Sequence, residues 1–134
     1  MNEEIAELID INNNFYTVFS SGDFRNMQTL WSLSDEISVI HPGMPAIHGH
    51  ASVMQSWKEI LATPGGVTIR CLEPRVYLHG NIAYVTCIEL LSQTRLVATN
   101  IFARESNQWV MVHHQAAAEY PLTRVGENAG SSLH

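Results

Sequence analysis

Basic residues are scarce in this chain. Seven Lys and Arg stand against thirteen Asp and Glu, for a formal net charge of -6, and Lys58 is the lone lysine. Phosphate binding needs clustered cations, and the arginines are scattered, so neither nucleic acid nor an anionic membrane is expected as a partner. Cysteine is scarcer still. Cys71 and Cys87 are too few for a disulfide framework in 134 residues and lie in no CxxC motif, which leaves buried free thiols as the expectation. No apolar run approaches the ~20 residues of a membrane-spanning helix. The acidic start Met1-Asn2-Glu3-Glu4 is unlike a basic signal peptide, so a cytoplasmic protein is expected. There is no phosphate-binding glycine loop, dinucleotide fingerprint or nucleophile signature, and no cofactor is expected. His41, His48, His50, His113 and His114 fall in no established ligand spacing, His48-Gly49-His50 included, so no metal is expected either.

What is present is apolar. Hydrophobic residues make up 46% of the chain, enough for one core, and the length suits a single domain. We place that domain at residues 1–124. Residues 125–134, rich in Gly, Ser and Asn, have little to bury and read as a flexible tail.

From Asn2 to Ser20, Ile5, Leu8, Ile9, Phe15, Val18 and Phe19 recur at helical spacing, with Glu3, Glu4, Glu7 and Asp10 toward the positive end of the helix dipole. Gly22 supplies a stop and Asp23 an N-cap for a short second helix through Phe24, Met27, Leu30 and Trp31. Ile37 to His41 is a short strand ended by Pro42-Gly43. A third helix runs from about Gly49 to Leu61 and stops before Pro64-Gly65-Gly66. The remainder alternates as four strands: Val67–Leu78, Ile82–Gln93, Leu96–Arg104 and Gln108–Ala117. Gly80-Asn81, Gln93-Thr94-Arg95 and Ser106-Asn107 form the turns of an antiparallel meander, and helices followed by strands give an α+β layer fold.

The order of these elements, with Ser21-Gly22-Asp23, Ile40-His41-Pro42-Gly43, Ala98-Thr99-Asn100-Ile101-Phe102 and Trp109 to His114, resembles the NTF2-like superfamily over roughly residues 3 to 118. Within it the chain looks most like the SnoaL-like, polyketide cyclase-like branch. The resemblance implies a cone in which three N-terminal helices pack on a strongly bent, mainly antiparallel sheet enclosing a pocket, and a homodimer through the outer sheet face. It also implies one of two functions. The first is a small-molecule binding protein or cofactor-independent enzyme of the isomerase, cyclase or lyase type, acting on an apolar carbonyl-bearing or polycyclic compound. The second is a non-catalytic dimeric ligand-binding or scaffold module. Fold alone does not choose between them.

Against the ketosteroid isomerase pattern within that superfamily, the oxyanion-donating tyrosine falls on Phe15, the general base on His41 and the buried acid on Asn100. Phe15 has no proton to donate, and Tyr16, about 100° further round the helix, points elsewhere on this reading. Steroid isomerase activity is therefore disfavoured. His41 closes a strand beside a Pro-Gly turn, and its ordinary pKa near 6.5 suits proton exchange at neutral pH; its bland alternative is a plug at the pocket mouth. With a two-residue Ser106-Asn107 turn, Phe102 stands across from Met111 and Asn100 across from His113, so His113 joins Asn100 inside and His114 faces out. A bulge would reverse this. The expected catalytic set is thus His41, Asn100 and His113, with Asn100 serving ligand rather than fold. Phe15, Phe19, Trp31, Trp57, Phe102 and Met111 are the apolar ligand wall, or else ordinary core. Glu89 sits in the apolar run Val85 to Leu91. Inward it is an acid with a raised pKa, outward a solvated charge, and since residues on both faces are apolar the pattern leaves the choice open.

Overall fold

The computed structural model describes residues 2–120, so the expected tail and the exact domain end lie outside the described residues. Three helices pack on a six-stranded, mostly antiparallel sheet in an α+β cone whose sheet stays open. Helix α1 (Glu3–Ser21) starts on the Asn2 side chain, which accepts from the Glu4 amide, and ends at Gly22. Gly22 adopts φ 68°, and a Cβ there would meet the Leu61 carbonyl oxygen at 3.3 Å, so the turn requires glycine twice over. Asp23 caps α2 (Phe24–Leu30), as its position suggests. Helix α3 spans His50–Leu61.

Strands β1 (Ser38–Ile40), β2 (Ile47–His48), β3 (Arg70–His79), β4 (Ile82–Leu90), β5 (Arg95–Glu105) and β6 (Gln108–Ala118) stand in the order β2-β1-β6-β5-β4-β3. The meander is therefore present. Its turns match expectation too: Gly80-Asn81 joins β3 to β4, and Ser106 and Asn107, both at positive φ, close β5 on β6 with Glu105 opposite Gln108. What periodicity did not foresee is non-local. The two-residue β2 is too short for a pattern, and β1 adds in parallel to β6, with Val39 beside His114, so that His41 is delivered next to the far half of β6.

Two irregularities matter for the interior. In β3, Glu73 at φ 56° and Pro74 shift the register between Leu72 and Arg75, and the strand lies at the sheet edge, where proline is tolerated. In β6, Phe102 pairs with Met111 but Ile101 pairs with His113, leaving Val112 as the extra residue of a bulge. The inner face of β5 (Ala98, Asn100, Phe102) is then covered by Ala116, His114 and Met111. Against it α1 lays Leu8, Asn12, Phe15, Tyr16 and Phe19, all buried, with Trp57 from α3 and Trp31 closing the core.

Candidate functional site

Asn12 and Asn100 are polar residues on faces that are otherwise apolar, and both are fully buried. Burying an amide is tolerated only when its hydrogen bonds are made. Asn100 Nδ2 donates to Asn12 Oδ1 at 2.8 Å and to Tyr16 Oη at 3.1 Å, while Asn100 Oδ1 takes the Nδ1 proton of His114 at 2.6 Å. Tyr16 Oη donates in turn to Glu89 Oε2 at 2.7 Å and lies 3.3 Å from Cys87 Sγ. Asn12 Nδ2 reaches Cys71 Sγ at 3.5 Å. One chain of donors and acceptors thus ties α1 to β3, β4, β5 and β6.

Direction follows from this chain. With Nδ1 of His114 donating to Asn100, its Nε2 is a lone pair, 3.7 Å from Glu89 Oε2 across the small Ala98 of β5. Burial pushes the Glu89 carboxyl up to about 7, against a smaller lowering by the Tyr16 hydrogen bond. Burial likewise pulls His114 down to about 3, with His41 and His113 adding to the fall. At neutral pH the imidazole is therefore uncharged, so its contact with the carboxyl is not an ion pair. Burial raises the Tyr16 phenol well above its ordinary value, so it acts as a hydrogen-bond donor rather than an acid.

A cavity of about 180 Å³ is lined by Phe19, His41, Ile60, Ile69, Leu96, Glu89 and His114, with Pro42, Val67 and Leu91 completing its wall. Its wall is apolar apart from the carboxyl and the two imidazoles. His41 Nε2 meets Ser56 Oγ at 3.1 Å, and Ser56 spends its own proton on the Val53 carbonyl at 2.7 Å. Nε2 of His41 is therefore the donor and its Nδ1 the lone pair. Burial lowers its pKa, and its ring meets Trp57 edge-on at 5.0 Å.

The expected site residues divide. His41 and Phe19 line the cavity, and Asn100 stands one hydrogen bond behind it. Asn100 is also a bridge that ties β5 to α1 and β6, a structural duty the sequence reading does not give it. Phe15, Trp31, Trp57, Phe102 and Met111 are buried in the core behind the wall. The expectation that His113 faces Asn100 is corrected: the Val112 bulge turns His114 inward, and His113 bonds Ser38 Oγ at 2.7 Å. Tyr16, set aside on the sequence, reaches the centre of the network, and Glu89 faces in. Asn12 was not singled out, although its place four residues before Tyr16 and three before Phe15 puts it on their helix face.

The SnoaL-like domain model matches residues 8–121. Among solved structures, a candidate dehydratase of the NTF2-like family from Streptomyces avermitilis is 27% identical and superposes with a TM-score of 0.81, covering 89% of this chain and 98% of that one. A CamKII hub homology domain from Chlamydomonas reinhardtii shares the fold at 16% identity and a TM-score of 0.73, covering 90% of this chain and 100% of that one. The F-box protein SKIP8 of Arabidopsis thaliana is 27% identical over 112 residues, which are 82% of this chain; the chain spans 48% of that relative's length.

Proposed function

The chain belongs to the SnoaL-like domain family of the NTF2-like fold, and from that premise we propose a small-molecule pocket that moves a proton on a compact apolar carbonyl compound without a cofactor. The observation that carries this reading is Glu89, a buried carboxyl in the wall of an otherwise apolar cavity, where burial pushes its pKa up to about 7. Its Oε2 is held by Tyr16, while Oε1 has no hydrogen-bond partner among the described residues. A protonated Oε1 donates to a carbonyl oxygen and strengthens that bond as the oxygen gains charge. His41 Nδ1 takes the α-proton. His114, at about 3, is too weak a base for that step and acts as an acceptor in the wall.

Size selects the ligand. Cavities of ~150 Å³ hold benzene-sized molecules, and typical ligand sites begin near ~300 Å³, so about 180 Å³ suits one ring. Of the two compound classes expected from the sequence, the volume favours a compact carbonyl compound over a polycyclic one.

The test is deuterium exchange at the α-carbons of cyclohexanone in D₂O, followed by NMR. The wild type is expected to exchange fastest where His41 is neutral and Glu89 still protonated, with the rate falling as pH rises through about 7. Glu89→Gln and His41→Phe are each expected to lose at least ~100-fold. Exchange that is indifferent to Glu89→Gln sinks this mechanism.

A second reading has its own support. Tyr77, Ile82 and Val97 are more than one-third exposed, and one relative of the same fold is a hub domain, so a non-catalytic assembly module is the alternative.

A further inference from the structure

The polar groups in the cavity wall are unbalanced. His114 has committed its Nδ1 proton to Asn100, and His41 its Nε2 proton to Ser56, so each ring offers only a lone pair. Neither lone pair has a hydrogen-bond partner among the described residues. At 3.7 Å, His114 Nε2 is too far from Glu89 Oε2 for a good bond. The wall therefore supplies one donor, the Glu89 carboxylic acid, and two acceptors. A simple ketone answers the donor, but it leaves the His114 lone pair dry beneath it, which costs affinity.

Resting on the reading above that Glu89 meets a carbonyl, we infer that the natural ligand carries a hydroxyl on the carbon next to that carbonyl, as a compact cyclic α-hydroxyketone does. Oxygens on adjacent carbons lie roughly 3 Å apart. The Glu89 carboxyl and His114 line the same small cavity, with Oε2 of the one 3.7 Å from Nε2 of the other, so two neighbouring oxygens can reach both groups: the carbonyl accepts from Glu89 Oε1 while the adjacent hydroxyl donates to His114 Nε2. Asn100 is then a positioning residue, since its carbonyl fixes which nitrogen of His114 keeps the proton.

The experiment compares 2-hydroxycyclohexanone with 2-methoxycyclohexanone and cyclohexanone, with binding titrated by NMR on protein carrying ¹⁵N-histidine. The hydroxyketone is expected to bind roughly tenfold or more tighter than either partner, because only it has the donor. In the free protein His114 Nε2 should resonate as an unprotonated nitrogen, then shift toward the hydrogen-bonded range with the hydroxyketone alone. This spectroscopic readout does not depend on a variant that disturbs the core. Equal affinities, no binding of the hydroxyketone, or a proton on His114 Nε2 in the free protein each overturn the inference. Its failure is separable from that of the proton-transfer reading. Glu89-dependent exchange on cyclohexanone without a hydroxyl preference leaves the reading and removes the inference; a hydroxyl preference without exchange does the reverse.

Discussion

Glu89 shows how one side chain ties stability to pH. In the unfolded chain it ionises from about 4.5 upward, whereas in the folded chain it keeps its proton to about 7. The native state thus binds more protons across that window, and stability falls as pH rises through it, by on the order of 3 kcal/mol. His114 works in the opposite sense. It stays neutral in the fold down to about 3 while the unfolded ring charges below 6.5, so stability is lost as pH falls through that range. Between 4.5 and 6.5 the two slopes oppose each other. Glu89→Gln removes the first and keeps a group that can accept from Tyr16. Urea unfolding should find it more stable than wild type by roughly 2 kcal/mol at pH 8 and nearly equal at pH 4.5. A stability difference that does not change with pH would refute the buried-acid assignment. Asn100→Leu is the converse case, because it strands Asn12 Oδ1 and the His114 Nδ1 proton together in the core. We expect a loss of about 3 kcal/mol or more, read by the same urea unfolding. A neutral result would return Asn100 to a ligand-only role.

Elements were legible in the sequence where local chemistry decides them. Gly22 and Asp23 mark the end of α1 and the start of α2, and Gly80-Asn81 and Ser106-Asn107 mark two hairpins, because caps and tight turns are read from a few adjacent residues. The same argument predicts that Gly22→Ala costs about 1–2 kcal/mol in thermal unfolding, through its φ of 68° and its approach to Leu61. What was not legible depends on long-range pairing. A bulge at Val112 leaves no mark in an apolar run of alternating residues, yet it exchanges His113 for His114 at the site. Glu89 could not be placed because neither face of β4 is polar, so alternation carried no sign. Tyr16 was missed for a different reason: one residue of misalignment on a helix moves a side chain by about 100°, but Phe15 and Tyr16 both fit a face broad enough to meet a curved sheet. His41 and Phe19, which line the cavity, stand out in the sequence because a strand end beside Pro-Gly and a regular helical stripe are local facts.

At the scale of the molecule, the unanswered surface is the outside of the sheet. Tyr77 and Tyr84 stack there at 4.7 Å, with His79 beside Tyr84, and Ile82 and Val97 stand 44% exposed. An antiparallel sheet that faced water would alternate toward polar residues on that side, and β4 offers Tyr84, Thr86, Ile88 and Leu90 instead. Removing such a patch from water is worth ~25 cal/mol per Å², so a second copy laid face to face gains stability if it buries the ~800 Å² per partner typical of stable pairs. We therefore expect light scattering at micromolar concentration to report twice the 15.0 kDa chain mass. Val97→Glu sets a charge on that face, beside Ile88 of β4, without touching the cavity. It should shift the particle to 15.0 kDa while leaving the circular dichroism of the fold and the Glu89 titration in place. A wild-type particle of single-chain mass would mean that the outer face is covered by something other than a copy of itself, or by nothing. A Val97→Glu dimer would move the interface to another face.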